Sequence, residues 1–173
     1  MKKMEIQKRR DCVDETSAKA IAYGAVKYSI LKTSNDKNVT FDWDSALSFE
    51  GDSGPYLQYS LARIFSILRN FTDTKITNPD YTFLVQKEEV ELILEIAKKN
   101  EIIELAYKNL SPHIIANYLY GLTQKFSRFY HQHSIINASS EELTIARYHL
   151  ILALKQVIMN CFSILGIDYV ETM

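Results

Sequence analysis

From Leu143 to Leu165 the apolar residues Leu143, Ala146, Leu150, Leu154, Val157, Cys161 and Leu165 recur at steps of three and four. That period places them on one face of an α-helix and is incompatible with the alternation of a strand. The segment is punctuated at both ends. Ser139-Ser-Glu-Glu142 reads as a capping box with Ser139 as N-cap, and Gly166 is the natural residue just past the end. An amphipathic helix of this length must bury its stripe against other helices, so the remainder of the chain is constrained to supply them.

It does so repeatedly. Pro55 is suited to the first turn of a helix, where its missing N–H costs nothing, and Leu57, Leu61, Ile64, Phe65 and Leu68 form the stripe that follows, ending near Phe71. Ser111-Pro112 predicts another helix start, with Ile115, Tyr118, Leu119, Leu122, Phe126 and Phe129 as its buried face to about His133. Lys87–Asn100 and Glu101–Leu110 read as two shorter helices, and Asp14–Leu31 as a further one with Ala18, Ile21, Ala22, Ala25, Val26 and Ile30 on its face. Asp44–Phe49 suits a helical turn that Asp44 or Ser45 would open. Val39 to Trp43 is rich enough in β-formers to suggest one short strand, and Thr72–Tyr81 reads as a linker. The expected fold class is therefore all-α: an antiparallel helical bundle with an N-terminal helical connector and room for one short strand. The chain divides into a connector over residues 1–50 and a helical domain over 51–173.

With 173 residues, the chain can build such a core without disulfides or metals. Its two cysteines, Cys12 and Cys161, are far apart and read as free thiols of a reducing cytosol. Lys155, Gln156 and Asn160 interrupt the apolar run of the last helix, so no membrane span is expected, and Met1–Arg10 lacks the apolar segment of a secretory signal. Asn38, Asn70 and Asn137 begin Asn-x-Ser/Thr triplets that are read as chance.

Enzymatic motifs are sparse. The five glycines form neither a phosphate loop nor a dinucleotide fingerprint. His131 and His133 are two apart, a spacing that points them to different faces of a helix, so no metal site is expected. Asp42 and Asp44 read as solvated loop acids. The more informative pattern is cationic and aromatic: Lys125 and Arg128 interleave with Phe126, Phe129, Tyr130 and His131, and Arg147 and Tyr148 lie near the start of the last helix. Such mixtures suit unpaired nucleotides, phosphates meeting the cations and bases stacking on the rings. Phe126 and Phe129 fall on the apolar stripe and are better read as core. A net charge of −1 limits any nucleic-acid surface to a local patch.

Several elements then line up. Ala22-Tyr-Gly-Ala-Val-Lys-Tyr28, Leu47-Ser-Phe-Glu-Gly51, Gly54-Pro-Tyr-Leu-Gln-Tyr59 with Ala62-Arg63, Ile115-Ala-Asn-Tyr-Leu119 with Phe126-Ser-Arg-Phe-Tyr130, and Arg147 through Ile164-Leu-Gly-Ile167 to Met173 come in order. From about Asp11 onward the chain resembles the C-terminal part of class I arginyl-tRNA synthetases, with a DALR-type anticodon-binding domain. No HIGH-like or KMSK-like signature is present, so the resemblance implies no catalytic residue in this chain.

The resemblance implies that the chain grips the anticodon arm of tRNA(Arg), with Tyr118, Lys125, Tyr130, Arg147, Tyr148 and Met173 as tRNA-binding candidates. It implies a junction to the catalytic domain of the same synthetase, with Gln58 and Arg63 as candidates for inter-domain or inner-stem contact. The parent ligase would attach arginine to tRNA using ATP and Mg; no cofactor is expected in this chain, which alone is expected to be inactive. A cytoplasmic monomer without membrane contact is implied. A free-standing RNA-binding module and a protein-assembly bundle are the alternatives. Arg147 lies where the helix dipole disfavours a cation, so it needs an anionic partner, and Glu141, Glu142 or a phosphate would serve.

Overall fold

The computed structural model describes residues 15–71 and 79–173. Asp14, Cys12 and most of the expected linker lie outside them. Seven α-helices are described: α1 (Glu15–Leu31), α2 (Trp43–Ala46), α3 (Gly54–Arg69), α4 (Lys87–Ala97), α5 (Lys99–Lys108), α6 (His113–Gln132) and α7 (Glu141–Leu165), with a 3₁₀ turn at Tyr81–Phe83. The expected all-α bundle is what forms.

The core is where the stripes meet. Leu57, Leu61 and Ile64 of α3, Leu119, Leu122, Phe126 and Phe129 of α6, and Ile151, Leu154, Ile158 and Phe162 of α7 are all essentially inaccessible to solvent. At about 1.5–3 kcal/mol for each large apolar side chain removed from water, this burial dominates the favourable side of folding. α7 is long and apolar enough by composition alone to cross a bilayer. Here its apolar surface is committed to the core, with Ala146, Leu150, Ile151, Leu154, Val157, Ile158, Cys161, Phe162 and Leu165 buried.

Local chemistry fixes the helix ends, with some shifts from expectation. The N-cap of α7 is Ser140, not Ser139; its Oγ accepts from Leu143 N–H at 3.2 Å. Gly166 closes the helix in the left-handed conformation at φ 63°, with Ile167 N–H donating to Phe162 O at 2.9 Å. Ser53 caps α3 through Tyr56 N–H, and Pro55 occupies the first turn. At α6, Ser111 does not cap: its Oγ donates to Asn109 O, and the helix begins at His113 after Pro112.

The expected strand over Val39–Trp43 does not form, and no strand occurs among the described residues. A lone extended segment has no partner for its backbone groups. The segment instead leads into α2, which Asp42 caps by accepting from Ser45 N–H at 2.8 Å. This hydrogen bonding holds the Asp42 carboxyl below its ordinary range, first through Ser45 Oγ and then through the backbone. Val39, Phe41, Trp43, Leu47 and Phe49 consequently remain exposed, with Phe41 and Trp43 in edge-to-face contact at 4.8 Å.

α1 and α3 cross so closely that a Cβ on Gly54 would lie 2.6 Å from Gly24 O. Only glycine allows this backbone approach. Beneath the crossing, the Tyr28 hydroxyl donates to Asp52 Oδ1 at 2.6 Å. Burial, reinforced by that carboxylate, raises the phenol well above its ordinary value.

Candidate nucleic-acid interface

α4 decides which cations of α6 and α7 are free. Read in antiparallel order, its carboxylates meet the bases of α6 and the residue that closes it: Glu88 with His133 Nε2 at 2.9 Å, Glu91 with Arg128 at 3.5 Å, and Glu95 with Lys125 at 3.5 Å. Glu89 turns inward. Its Oε2 accepts from Gln86 N–H at 2.9 Å, closing the start of α4, and its Oε1 accepts from Arg147 Nε at 2.7 Å.

Several sequence candidates are absorbed by this arrangement. Arg147 is 5% exposed, and its second donor goes to Ser134 O at 2.7 Å; its anionic partner is Glu89 on α4, not Glu141, Glu142 or a phosphate. A phosphate could reach it only by opening the interior. Tyr118 is buried, and its hydroxyl donates to Glu95 O at 2.8 Å, with burial the first cause of its raised pKa. Gln58 is wholly inaccessible, donating to Ala20 O and Asp168 O. Tyr148 is half-buried and packs on Phe71 at 4.8 Å. Lys125 retains some exposure but is engaged by Glu95.

The remaining candidates converge. Arg63, Tyr130 and Met173 come from α3, α6 and the C-terminal tail, and together with Tyr59, Ala62, Ser66, Arg69 and Thr172 they line one cleft of about 430 Å³. The Arg63 guanidinium carbon is 4.8 Å from the ring centre of Tyr59 and 4.8 Å from that of Tyr130. Its Nη2 also donates to the Tyr59 hydroxyl at 2.9 Å. Stacking on aromatic faces pre-orients a guanidinium while leaving donors free at its edge. Among the described residues no carboxylate pairs with Arg63 or Arg69. A second cleft of about 300 Å³, lined by Asn70, His133, Ile136 and Asn137, shares Arg63, Ser66 and Tyr130 with the first. The two form one groove along α3.

The tail that completes the cleft is held at three backbone carbonyls. Lys27 Nζ donates to Gly166 O, Gln58 to Asp168 O at 2.7 Å, and Arg69 to Glu171 O at 3.4 Å. Between them the Tyr169 ring stacks on Phe65 and Phe162 at 5.8 and 6.3 Å. Exposed Thr172 and Met173 thereby end beside Tyr130 and Arg63.

Tyr59, which from sequence reads as a packing residue of the domain junction, and Arg69, which no sequence motif singled out, also line the cleft. Both lie on the exposed side of α3 at helical spacing from Arg63 and Ser66: 59, 63, 66 and 69 recur at four, three and three. That spacing was available as a signal. Without α4 in place, nothing distinguished it from the equally regular cations of α6. Among the described residues no group of His, Cys, Asp and Glu side chains gathers to hold a metal ion.

Known proteins resemble this chain over most of its length. Residues 57–173 match the family described as DALR anticodon binding domain. The chain is 39% identical over 178 residues to an arginine–tRNA ligase of Clostridium perfringens, covering 97% of this chain and 32% of that protein. It is 44% identical over 159 residues to one of Clostridium beijerinckii, covering 92% and 28%. Among solved structures, Thermus thermophilus arginyl-tRNA synthetase superposes with a TM-score of 0.88 at 32% identity, over 96% of this chain and 29% of that one. The chain thus spans less than a third of the length of these relatives. With a match from α3 to the last residue, the chain belongs to the DALR anticodon-binding domain family.

Proposed function

We propose that this chain binds the anticodon arm of tRNA(Arg) as the C-terminal portion of an arginine–tRNA ligase. The observation that carries this reading is Arg63 stacked between Tyr59 and Tyr130 in a cleft that also presents Arg69 and Met173. A splayed loop base needs an aromatic or apolar face, and its phosphates need unpaired cations. This groove presents both within a few ångströms.

In this reading Tyr130, Arg63 and Met173 contact the RNA directly, joined by Tyr59 and Arg69. Lys125, Tyr118, Gln58 and Arg147 hold bonds within the protein, and Tyr148 packs on Phe71, so none of them is placed among the RNA contacts. Residues 51–173 act as the anticodon-binding domain, and 1–50 as the connector to the catalytic domain of the same protein. The exposed apolar residues Val39, Phe41, Trp43, Leu47 and Phe49 support a covering partner on the connector. ATP and Mg would act in the parent's catalytic part, and the parent would be a cytoplasmic, monomeric translation enzyme. This chain alone would not activate arginine.

The experiment is binding of the chain to a fluorescent tRNA(Arg) anticodon stem-loop at two salt concentrations, against an unrelated stem-loop. Affinity should fall steeply with salt and favour the arginine loop. Equal affinity for both loops would refute anticodon readout.

A further inference from the structure

Gln58 is the polar side chain whose position packing alone does not explain. It is completely buried between α1, α3 and the tail. Its Nε2 donates to Ala20 O at 3.0 Å and to Asp168 O at 2.7 Å, while its Oε1 is buried with no partner. An unpaired buried carbonyl is unfavourable, and a leucine of similar size would avoid it. What the amide supplies in return is two N–H groups aimed at carbonyls 148 residues apart in sequence, Ala20 on α1 and Asp168 in the tail.

The surroundings hold that amide in place. A Cβ on Gly24 would lie 2.5 Å from Gln58 Nε2, and one on Gly54 would lie 2.6 Å from Gly24 O. The α1–α3 approach therefore fixes how far Gln58 stands from the Ala20 carbonyl. On its other side, Asp168 opens the short run that ends in the cleft wall: Tyr169 stacked on Phe65, Glu171 O on Arg69, then Thr172 and Met173 beside Arg63 and Tyr130.

We propose that Gln58 is a positioning residue that couples α1 to the C-terminal wall of the cleft, setting where Met173 stands. α1 precedes the domain-family match, which begins at residue 57. A shift of α1 is thus transmitted to the cleft, and filling the cleft is transmitted back to α1 by the same two hydrogen bonds. The coupling rests on these hydrogen bonds and stands apart from what the cleft binds. Its consequence for RNA affinity rests on the function proposed above.

The first measurement needs no RNA. The chain has four methionines, so a ¹³C-methyl spectrum resolves Met173 from Met159 of α7. In Gln58→Leu, the Met173 methyl should move toward its random-coil position while Met159 stays in place. Gly24→Ala, which crowds the amide without removing it, should move Met173 in the same direction. An unchanged Met173 in a folded variant of either kind overturns the coupling.

The second measurement is affinity for the tRNA(Arg) stem-loop. Gln58→Leu and removal of Thr172–Met173 should each weaken binding about tenfold, and the two together no more than the truncation alone. Losses that multiply would mean Gln58 acts by another route and would overturn the proposal. If the wild-type chain fails to bind the stem-loop, the tRNA reading falls, and the methyl spectra still decide the coupling.

Discussion

Arg147 Nε donates to Glu89 Oε1 across 2.7 Å, with the arginine side chain 6% and the glutamate side chain 0% exposed. The pair joins α7 to the first turn of α4, and each partner takes a second hydrogen bond: Gln86 N–H donates to Glu89, and Arg147 donates to Ser134 O. This buried link seats α4 against the bundle, and α4 in turn occupies the cations of α6.

Breaking that pair on one side should be costly. Glu89→Ala leaves a buried guanidinium uncompensated and should destabilise the chain by about 3–5 kcal/mol. Glu89→Leu combined with Arg147→Met should recover most of that loss, because replacing both charges removes the desolvation cost as well. Urea unfolding of the single and double variants checks this. A single-variant loss below about 1 kcal/mol would mean the pair is solvated in solution.

RNA affinity should separate Arg63 from Lys125. Arg63→Met should weaken stem-loop binding at least about tenfold and lower the slope of log affinity against log salt by about one. Arg63→Lys should recover the salt slope without the full affinity, since an ammonium cannot stack between two rings as a guanidinium does. Lys125→Ala should change affinity by less than about twofold, because its charge is already answered by Glu95. Anisotropy titrations at two salt concentrations distinguish these outcomes; a larger effect at Lys125 than at Arg63 would move the interface onto α6.

The tyrosines should divide in the same way. Tyr130→Ala should cost about 1–3 kcal/mol of RNA binding, with Tyr130→Phe close to wild type, if the ring is a stacking face. Tyr118→Phe should leave RNA binding unchanged and cost about 0.5–1.5 kcal/mol of stability through the lost bond to Glu95 O.

Acid should weaken the end of the α4–α6 ladder. The hydrogen bond from His133 holds the Glu88 carboxyl below its ordinary value of 4.5. A depressed folded-state pKa contributes stability above the unfolded value and loses it as pH falls through the folded one. Glu88→Gln, which imitates the protonated acid, should therefore be less stable than wild type at neutral pH. The difference should close as pH drops below about 4.5. Chemical denaturation at a series of pH values measures it; a gap that persists in acid would assign the effect to packing.

Cys161 should behave as an inert core residue. It is fully buried, and burial pushes its thiol up to about 12. Iodoacetamide at pH 8 should leave the Cys161 peptide unmodified in the native chain and label it in urea, as mass spectrometry of the digested protein would show.

The helices were legible in the sequence because their evidence is local. Leu57 to Leu68, Ile115 to Phe129 and Leu143 to Leu165 each repeat at the helical period, and Pro55 and Gly166 mark ends whose backbone geometry few other residues serve as well. The errors at Ser139 and Ser111 are of one residue or one cap, within the reach of a neighbouring hydroxyl. Val39 to Trp43 failed for a different reason: strand propensity describes a residue's fit to a sheet, and among the described residues there is no second strand to pair with.

What the sequence determined by itself is therefore the set of helices, the faces they bury and the family whose ordered motifs they carry. Which cations remain available was decided only by tertiary structure. Arg147, Lys125 and Arg63 look alike along the chain, but whether a charge is free depends on residues remote in sequence. Glu89 lies 58 positions from Arg147 and Glu95 lies 30 from Lys125, and folding α4 against α6 and α7 brings both within ion-pair distance. Arg63 faces Tyr59 and Tyr130 instead, rings that orient its charge without cancelling it.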